Sequence, residues 1–556
     1  MTGVGETAAS RRSERALHWL RNAVVLGFVA AVLLGIFLPV YTDEVGWRFQ
    51  ERAGIDGVDK MFSDRCGPNA IVRPPWFMMP VRTFSAALNL TFAAPLYVRL
   101  AGILHALLWA ALLWVLIHRI TREPARRAAL GAIGFGLLCL ANTPLLMVLS
   151  RPEQPLILCT MAGILLAFPA RQSAPKTLSA TPHWAPSLGI VLLTAIALSY
   201  HLKGLFLAPV FLAALALCTG GRAPRAIAAL AVIAMTAAAG LYWLHRLECP
   251  GDAILRAEYA RNSAGMRLAD LGGLGDFAGF AAGLLRNINP FDYIALARPE
   301  RYPLSDWLPP GQVSALASAL WEAALFLTWG LVLALALIAA VAAAREAWRT
   351  RHLPAGLVLA GSLVVAVSGA SATRLVRNFY EASFVLPLLA LAALLALASP
   401  RARTRDAPLR WIAGVVGCAG LTSLVLTCAI WRPALWAAWH ETGYVDAQEH
   451  SFSIRGFTAA ERDILGAARL CRLPPPERAR AVLLDDVTYF PYMAARLPQH
   501  WLGVFGTWRG SIDKPIAYLE SRRSDGVLVS CHLLPPDLRA RAHRQGEYCC
   551  LTPPGW

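Results

Sequence analysis

Long apolar segments alternate with short polar ones over the first 430 residues. About eleven of them approach the roughly 20 residues that a helix needs to cross a bilayer. They occupy residues 23–40, 97–118, 129–149, 155–170, 187–201, 204–219, 226–245, 314–343, 354–371, 382–399 and 411–430. This pattern predicts a polytopic α-helical membrane protein with about 11 transmembrane helices.

The polar segments between the apolar ones fall into two groups that alternate along the chain. One group is short and basic, with the sequences RRSER, RITREPARR, ARQSAPK, GGRAPR, AREAWRTRH and PRARTR. Short basic loops stay in the cytoplasm, so the N-terminus is expected there. The other group contains two long loops, 41–96 and 246–313, and the tail 431–556, all expected outside. Apolar stretches at 81–95 and 277–288 predict helices lying on the membrane surface.

The tail, residues 431–556, predicts a small extracytoplasmic α/β domain after a transmembrane domain of residues 1–430. GFTAAERDILGAARL has helical spacing, with Thr458 as the expected N-cap. AVLLDD, HWLGVFG and DGVLVSCHLL have the composition of short strands, and DVTYFPYMAARL that of a helix.

Composition agrees with a membrane location. Of the 556 residues 56% are hydrophobic and only 16% are charged, with a mean hydropathy of +0.49, whereas soluble domains are about 25% charged. The net charge of +17 is spread over the short loops, and this distribution argues against a nucleic-acid partner.

Cysteine usage follows the same division of the chain. Of the eleven cysteines, five lie in apolar segments, and the other six all lie on the predicted outer side, at positions 66, 249, 471, 531, 549 and 550. An even set in an oxidising compartment predicts disulfides. We expect Cys66 to pair with Cys249 and the remaining four to pair within the tail; metal binding is the alternative, although no metal-ligand spacing supports it.

Ionisable residues recur where the apolar segments meet the predicted outer side. They are Asp43, Glu44, Arg73, Arg151, Glu153, His201, Lys203, Arg374, Arg377 and Glu381, accompanied by Tyr200 and Tyr380. Each alone has a simpler explanation as a solvated helix end, a snorkelling cation, a local ion pair or a contact to lipid headgroups. Because they share one depth and carry complementary signs, we expect one polar basin.

A basin of this kind suits chemistry on a lipid-borne phosphate. Arg and Lys side chains hold phosphate oxygens, and cations on a leaving phosphate stabilise its developing charge. A carboxylate on the opposite side can take the proton from an acceptor hydroxyl. The residues therefore indicate sugar transfer from a polyprenyl phosphate.

Several short motifs resemble those of the GT-C membrane glycosyltransferases, in particular the protein mannosyltransferases and aminoarabinose transferases. TDEVGWRF (42–49) is similar to the acidic motif that follows their first span, and VRPPW (72–76) resembles a later motif of the same loop. YHLKG (200–204) and RNFYEASFVLPLLAL (377–391) resemble two further elements in the same order. The resemblance implies the GT-C fold and a role as an inverting glycosyltransferase that uses a polyprenyl-phosphate sugar.

The resemblance also implies residue roles. Asp43 is the expected general base and Glu44 its partner. Arg73, Lys203, Arg374, Arg377 and Tyr380 are candidates for the donor phosphate, and Arg151, Glu153 and His201 for sugar or acceptor contacts. The acceptor is a lipid, a protein or a polysaccharide. We expect no cofactor, although the oligosaccharyltransferase branch of the fold uses a divalent metal.

These inferences place the protein in a bacterial inner membrane, with a cytoplasmic N-terminus and a periplasmic C-terminal domain. The alternative function is a transporter or exporter of lipid-linked glycans. Transporters often carry internal repeats and charges near the bilayer midplane. Here no repeat is visible and the charges cluster at one face, so the pattern favours the enzyme.

Overall fold

A computed structural model describes most of the chain. The described residues are 8–53, 59–60, 71–168, 184–219, 221–247, 289–298, 313–372, 379–399, 406–440, 444–445, 451–501, 515–521 and 523–553. The expected Cys66–Cys249 disulfide and the expected surface helix at 277–288 lie outside these residues.

Up to residue 440 the described chain is mainly helical. The helices are α1 (Ala8–Leu34), α2 (Thr42–Ala53), α3 (Met79–Thr91), α4 (Pro95–Ile120), α5 (Pro124–Leu138), α6 (Thr143–Leu146), α7 (Glu153–Ala167), α8 (Ala185–Tyr200), α9 (Ala208–Leu217), α10 (Arg222–Leu247), α11 (Phe291–Ala295), α12 (Ala315–Thr350), α13 (Ala355–Ala372), α14 (Phe379–Leu397) and α15 (Asp406–His440).

Each predicted apolar segment overlaps at least one of these helices. By length and composition, five helices of the described chain can cross a membrane, namely α1, α4, α10, α12 and α15. Five further apolar helices are shorter: α7, α8, α13, α14 and the helical stretch Leu202–Leu217, which contains α9. The stretch expected on the membrane surface at 81–95 forms α3, with Phe84 and Leu88 exposed.

The expectation of one continuous helix over 129–149 is wrong. Helix α5 ends at Leu138, and the chain turns through Ala141, whose φ is 47°, before α6 begins. Pro144 lies in the first turn of α6, where it needs no N–H partner but could not continue a preceding helix. The Asn142 side chain connects this turn to α15 by accepting a hydrogen bond from Trp431 Nε1 at 2.9 Å.

Helix ends that flank several of the basic loops meet at one end of the bundle. There the end of α4 meets the end of α7, the start of α5 meets the end of α14, and the start of α8 meets the end of α9. The contacts are Arg119 to the Leu165 carbonyl (3.0 Å), Arg126 to the Leu397 carbonyl (2.6 Å) and Ser187 Oγ to Cys218 Sγ (4.0 Å). We call this the basic end; the acidic motif lies at the opposite end.

The tail folds around a five-stranded mixed sheet. Its strands are β6 (Ala481–Leu484), β7 (Leu497–His500), β8 (Gly526–Ser530), β9 (His543–Gln545) and β10 (Tyr548–Leu551), in the order β7-β6-β8-β10-β9. Strand β6 is parallel to both neighbours, and β10 is antiparallel to β8 and β9. The accompanying helices are α16 (Phe457–Leu470), α17 (Tyr489–Tyr492), α18 (Pro515–Ser521) and α19 (Pro536–Arg541).

Two disulfides join Cys471 to Cys550 and Cys531 to Cys549. All four tail cysteines therefore pair within the tail, as expected. Since Cys549 and Cys550 are adjacent on β10, their side chains leave opposite faces of the sheet, and each face receives one crosslink.

Some local predictions for the tail are wrong. Helix α16 starts at Phe457 with Gly456 before it, so Thr458 lies inside the helix and does not cap it. The helix expected in DVTYFPYMAARL shortens to α17, and the strand expected at HWLGVFG ends at His500, its first residue. The hairpin of β9 and β10 was not predicted; it turns at Gly546, whose φ of 58° suits glycine.

The tail is joined to the acidic motif by backbone pairing. Strand β1 (Val40–Tyr41), just before α2, pairs antiparallel with β5 (Ser451–Phe452), which also pairs with β4 (Tyr444–Val445). Strands β2 (Asp59–Lys60) and β3 (Ile71–Val72) form a separate antiparallel pair. Helix α2 contacts β7, and Val40 and Val45 belong to the apolar core of the tail. The start of α2 is therefore held between the bundle and the tail.

Candidate active site

The two adjacent acids of TDEVGWRF lie in the first turn of α2, where the helix dipole favours negative charge. Consecutive helical residues point about 100° apart, and here that difference separates two environments. The Asp43 side chain keeps 38% of its surface exposed, whereas that of Glu44 keeps 0%. The two carboxylates therefore cannot have the same task.

Glu44 is held entirely by the protein. Arg99 Nη2 donates to its Oε2 at 2.7 Å and Arg99 Nη1 to its Oε1 at 3.0 Å. The backbone N–H of Tyr41 donates to Oε2 at 3.0 Å, and that of Ser150 to Oε1 at 2.7 Å. Both oxygens are thus satisfied, and the carboxylate joins α2, α4 and the segment before α7.

Asp43 begins a second set of contacts. Its Oδ2 accepts a hydrogen bond from Arg151 Nη1 at 2.7 Å, and Arg151 Nε lies 3.3 Å from Glu153 Oε2. Glu153 Oε1 accepts from Lys203 Nζ at 2.9 Å, and the same ammonium lies 3.0 Å from Glu381 Oε2. We call these five residues the charge relay, since acid and base alternate from Asp43 to Glu381.

Burial divides the charge relay. The side chains from Arg151 to Glu381 are each at most 4% exposed, so Asp43 is its exposed end. A buried charge without a partner is strongly destabilising. Each inner member therefore depends on its neighbours, and together they determine where the Arg151 guanidinium meets Asp43.

The tight turn between α8 and α9 places Lys203 in this relay. His201 Nδ1 accepts a hydrogen bond from the Lys203 backbone N–H at 3.1 Å. A side chain at Gly204 would lie 2.5 Å from the Ala197 carbonyl oxygen, so the close approach of turn and helix requires glycine. The His201 ring packs against Trp47 at 5.1 Å; Trp47 lies one turn after Asp43 on α2.

The second long loop reaches the relay through α11. Tyr293 in this helix is 1% exposed. Burial raises its pKa to about 12, and the negative charge of Glu381 adds to the rise. Tyr293 therefore remains a neutral phenol beside the inner end of the relay.

The remaining candidates stand as follows. Arg73 is exposed. Arg374 and Arg377 lie outside the described residues, and Tyr380 occupies the first turn of α14, next to Glu381. The structure thus brings together Asp43, Arg151, Glu153 and Lys203. His201 contacts the backbone of Lys203, and Glu44 belongs to a separate set of contacts.

Sequence reasoning missed the partner of Glu44. Arg99 lies in the apolar stretch PLYVRLAGIL near the start of α4. An arginine within an apolar stretch implies a buried carboxylate partner, so the sequence itself contained an indication of this ion pair. Arg48 was missed as well. It donates hydrogen bonds to the Glu44 backbone carbonyl and to Ser150 Oγ (3.2 Å), so α2 has a second contact with the segment before α7.

The described residues contain no group of three or more His, Cys, Asp or Glu side chains that would hold a metal ion. Neither the comparison with protein-family models nor that with curated proteins found a match.

Among solved structures, the chain is similar to the archaeal oligosaccharyltransferase AglB from Archaeoglobus fulgidus in complex with an inhibitory peptide and a dolichol-phosphate. The identity is 12% and the TM-score 0.38, over 92% of this chain and 69% of that one. A crystal structure of the Archaeoglobus fulgidus oligosaccharyltransferase with zinc and sulfate matches at 12% identity and a TM-score of 0.37, over 91% and 68%.

Proposed function

We propose that the protein is an inverting glycosyltransferase that moves a sugar from a polyprenyl-phosphate donor to an acceptor hydroxyl at the outer face of the membrane. The observation that carries the proposal is the position of Asp43. It is the exposed end of an otherwise buried set of alternating charges at the end of the bundle opposite the basic loops. A carboxylate fixed by an arginine yet open on one side can accept a proton from a bound hydroxyl.

In the proposed reaction Asp43 takes the proton of the acceptor hydroxyl. The oxygen then attacks the anomeric carbon, and the bond from that carbon to the phosphate oxygen breaks. Its electron pair leaves with the polyprenyl phosphate. Since the attack comes from the side opposite the phosphate, the anomeric configuration inverts.

The phosphate of the donor needs cationic partners. We assign this task to Arg73, which is exposed, and to Arg374 and Arg377, with Tyr380 as a further candidate. Lys203 was a candidate for the same task, but its ammonium lies within 3.0 Å of two buried carboxylates. We therefore propose that Lys203 holds Glu153 and Glu381 in place, and that Glu44 positions α2 without taking part in the chemistry.

The test uses full-length protein in nanodiscs with radiolabelled polyprenyl-phosphate sugars of several kinds and an acceptor extract. We expect one donor to be consumed, with free polyprenyl phosphate as a product and inverted configuration in the other product. Asp43→Asn serves as the background measurement, and Asp537→Asn, an exposed acid on α19, as the matched control.

Two results would contradict the proposal. One is retention of the donor's anomeric configuration. The other is movement of intact lipid-linked sugar across reconstituted vesicles at equal rates for the native protein and Asp43→Asn, with no donor bond broken. The second result would favour the exporter.

A further inference from the structure

The basic end of the bundle carries a groove that the proposed reaction does not use. It lies between α9 and α10 and has a volume of about 370 Å³, within the range of small-molecule sites. Leu212 and Leu215 line it from α9, and Ala226 and Ala229 from α10. The small alanine side chains of α10 leave space that larger side chains at these positions would fill.

Two arginines stand at the mouth of this groove. Arg222 and Arg225 both line it and both belong to the first turn of α10. Arg225 donates to the carbonyls of Ala216 (3.0 Å) and Gly221 (3.4 Å), which orients its guanidinium without neutralising it. Within the described part of the chain neither arginine has a carboxylate partner.

Along α10 the lining of the groove extends far enough for a headgroup and the upper part of an acyl chain. Seven residues separate Arg222 from Ala229, which is about 10 Å along the helix axis. Next to the groove on α10, Ile227, Leu230 and Ile233 are each more than half exposed, as expected for a helix face that meets lipid chains. The cations therefore lie at headgroup level and the leucines at the level of the upper acyl chain.

We propose that this groove binds an anionic phospholipid of the membrane leaflet at the basic end. An acyl chain would lie against Leu212 and Leu215, and the phosphate would contact Arg222 and Arg225. Charge complementarity selects this occupant, because two cations without counter-ions beside an apolar groove favour a lipid with a net negative headgroup over a zwitterionic one. The site is separate from the charge relay.

The test measures retained lipid on full-length protein purified from mixed phosphatidylglycerol and phosphatidylethanolamine, by native mass spectrometry and lipid extraction. For R222Q/R225Q we expect the excess of bound phosphatidylglycerol over phosphatidylethanolamine to fall by about fivefold or more. The matched control is R345Q/R349Q, which removes two exposed arginines of α12 at the same end and should leave this excess unchanged.

A steric variant keeps the test informative if R222Q/R225Q does not fold. A229F fills the groove while keeping both arginines, and it should also release the phosphatidylglycerol. Three results would overturn the proposal: equal loss in R222Q/R225Q and R345Q/R349Q, full retention in A229F, or displacement of the bound species by inorganic phosphate, which would indicate a simple anion site.

Discussion

Arg99 and Glu44 form a fully buried ion pair in which both terminal nitrogens of the guanidinium meet both oxygens of the carboxylate, at 3.0 and 2.7 Å. The pair joins residues 55 positions apart and fastens the first turn of α2 to α4. It leaves the neighbouring Asp43 as the acid that is open to solvent.

Breaking this pair should destabilise the protein. In Glu44→Gln the Arg99 charge loses its counter-ion in a site without water access, which typically costs about 3–5 kcal/mol. We expect the free energy of unfolding in mixed micelles to fall by this order. R410Q, which breaks the partly exposed pair of Arg410 with Glu14, should cost less than about 1 kcal/mol. If both variants lower the free energy of unfolding equally, burial of the Glu44–Arg99 pair does not increase its contribution to stability.

Removing the Lys203 charge should destabilise the charge relay, because Lys203 contacts two of its carboxylates. In Lys203→Met, the Glu153 and Glu381 carboxylates lose the ammonium that both contact, and Glu153 keeps Arg151 as its cationic partner. We expect a loss of several kcal/mol and a lower transfer rate, because Glu153, which contacts Arg151, is no longer held in place by Lys203. In K203M/E381Q one of these carboxylate charges is removed, so thermal unfolding should recover in part. A double variant less stable than K203M would contradict the assignment.

The backbone pairing of β1 with β5 should matter for activity although β5 belongs to the tail. A proline at Phe452 removes an N–H from the middle strand of this small sheet, so the start of α2 loses its support. Misplacement by about 1 Å can cost about 100-fold in rate, and we expect F452P to lower transfer by at least tenfold on this basis. The control R544P disturbs β9 at the far edge of the main sheet. If both lower transfer equally, the effect is general instability of the tail.

The two tail disulfides should differ in their stabilising effect. Cys471–Cys550 closes a loop of 79 residues and Cys531–Cys549 one of 18. In the chain-entropy account the longer loop gains roughly 1 kcal/mol more. C471S/C550S should therefore expose the tail to protease at lower denaturant concentration than C531S/C549S in the full-length protein. The reverse order would mean that native contacts dominate over loop entropy.

Periodicity made the helices of the bundle predictable, since apolar segments of sufficient length have no other stable arrangement in a membrane. The break at Ala141 and Asn142 was not predicted, because the apolar character continues through it and only Pro144 marks the change. In the tail, β6 and β8 were predicted from their runs of apolar residues, whereas β7 was predicted only at His500 and β10 was not predicted. Strand β9 was not predicted either, because its three residues are all exposed and no pattern distinguishes them from a loop.

Part of the predicted polar basin is present in the structure, but its internal division could not be predicted. Charge sign and position along the spans indicated that Asp43, Arg151, Glu153 and Lys203 would meet. The different environments of Asp43 and Glu44 depend on which side of one helical turn faces Arg99, and this follows from the packing of α2 against α4. Sequence adjacency alone suggested a cooperating pair.

The most direct test of the account compares Asp43→Asn with Glu44→Gln in the same transfer assay and the same unfolding assay. Loss of a general base typically costs about 10²–10⁴-fold in rate, so Asp43→Asn should lose at least about 100-fold. Its unfolding midpoint should fall less than that of Glu44→Gln, because Arg151 keeps Glu153 as a partner. Glu44→Gln should instead lose stability, and the molecules that remain folded should keep most of their rate. If Asp43→Asn retains full transfer while Glu44→Gln abolishes it in folded protein, the assignment of the two carboxylates is wrong.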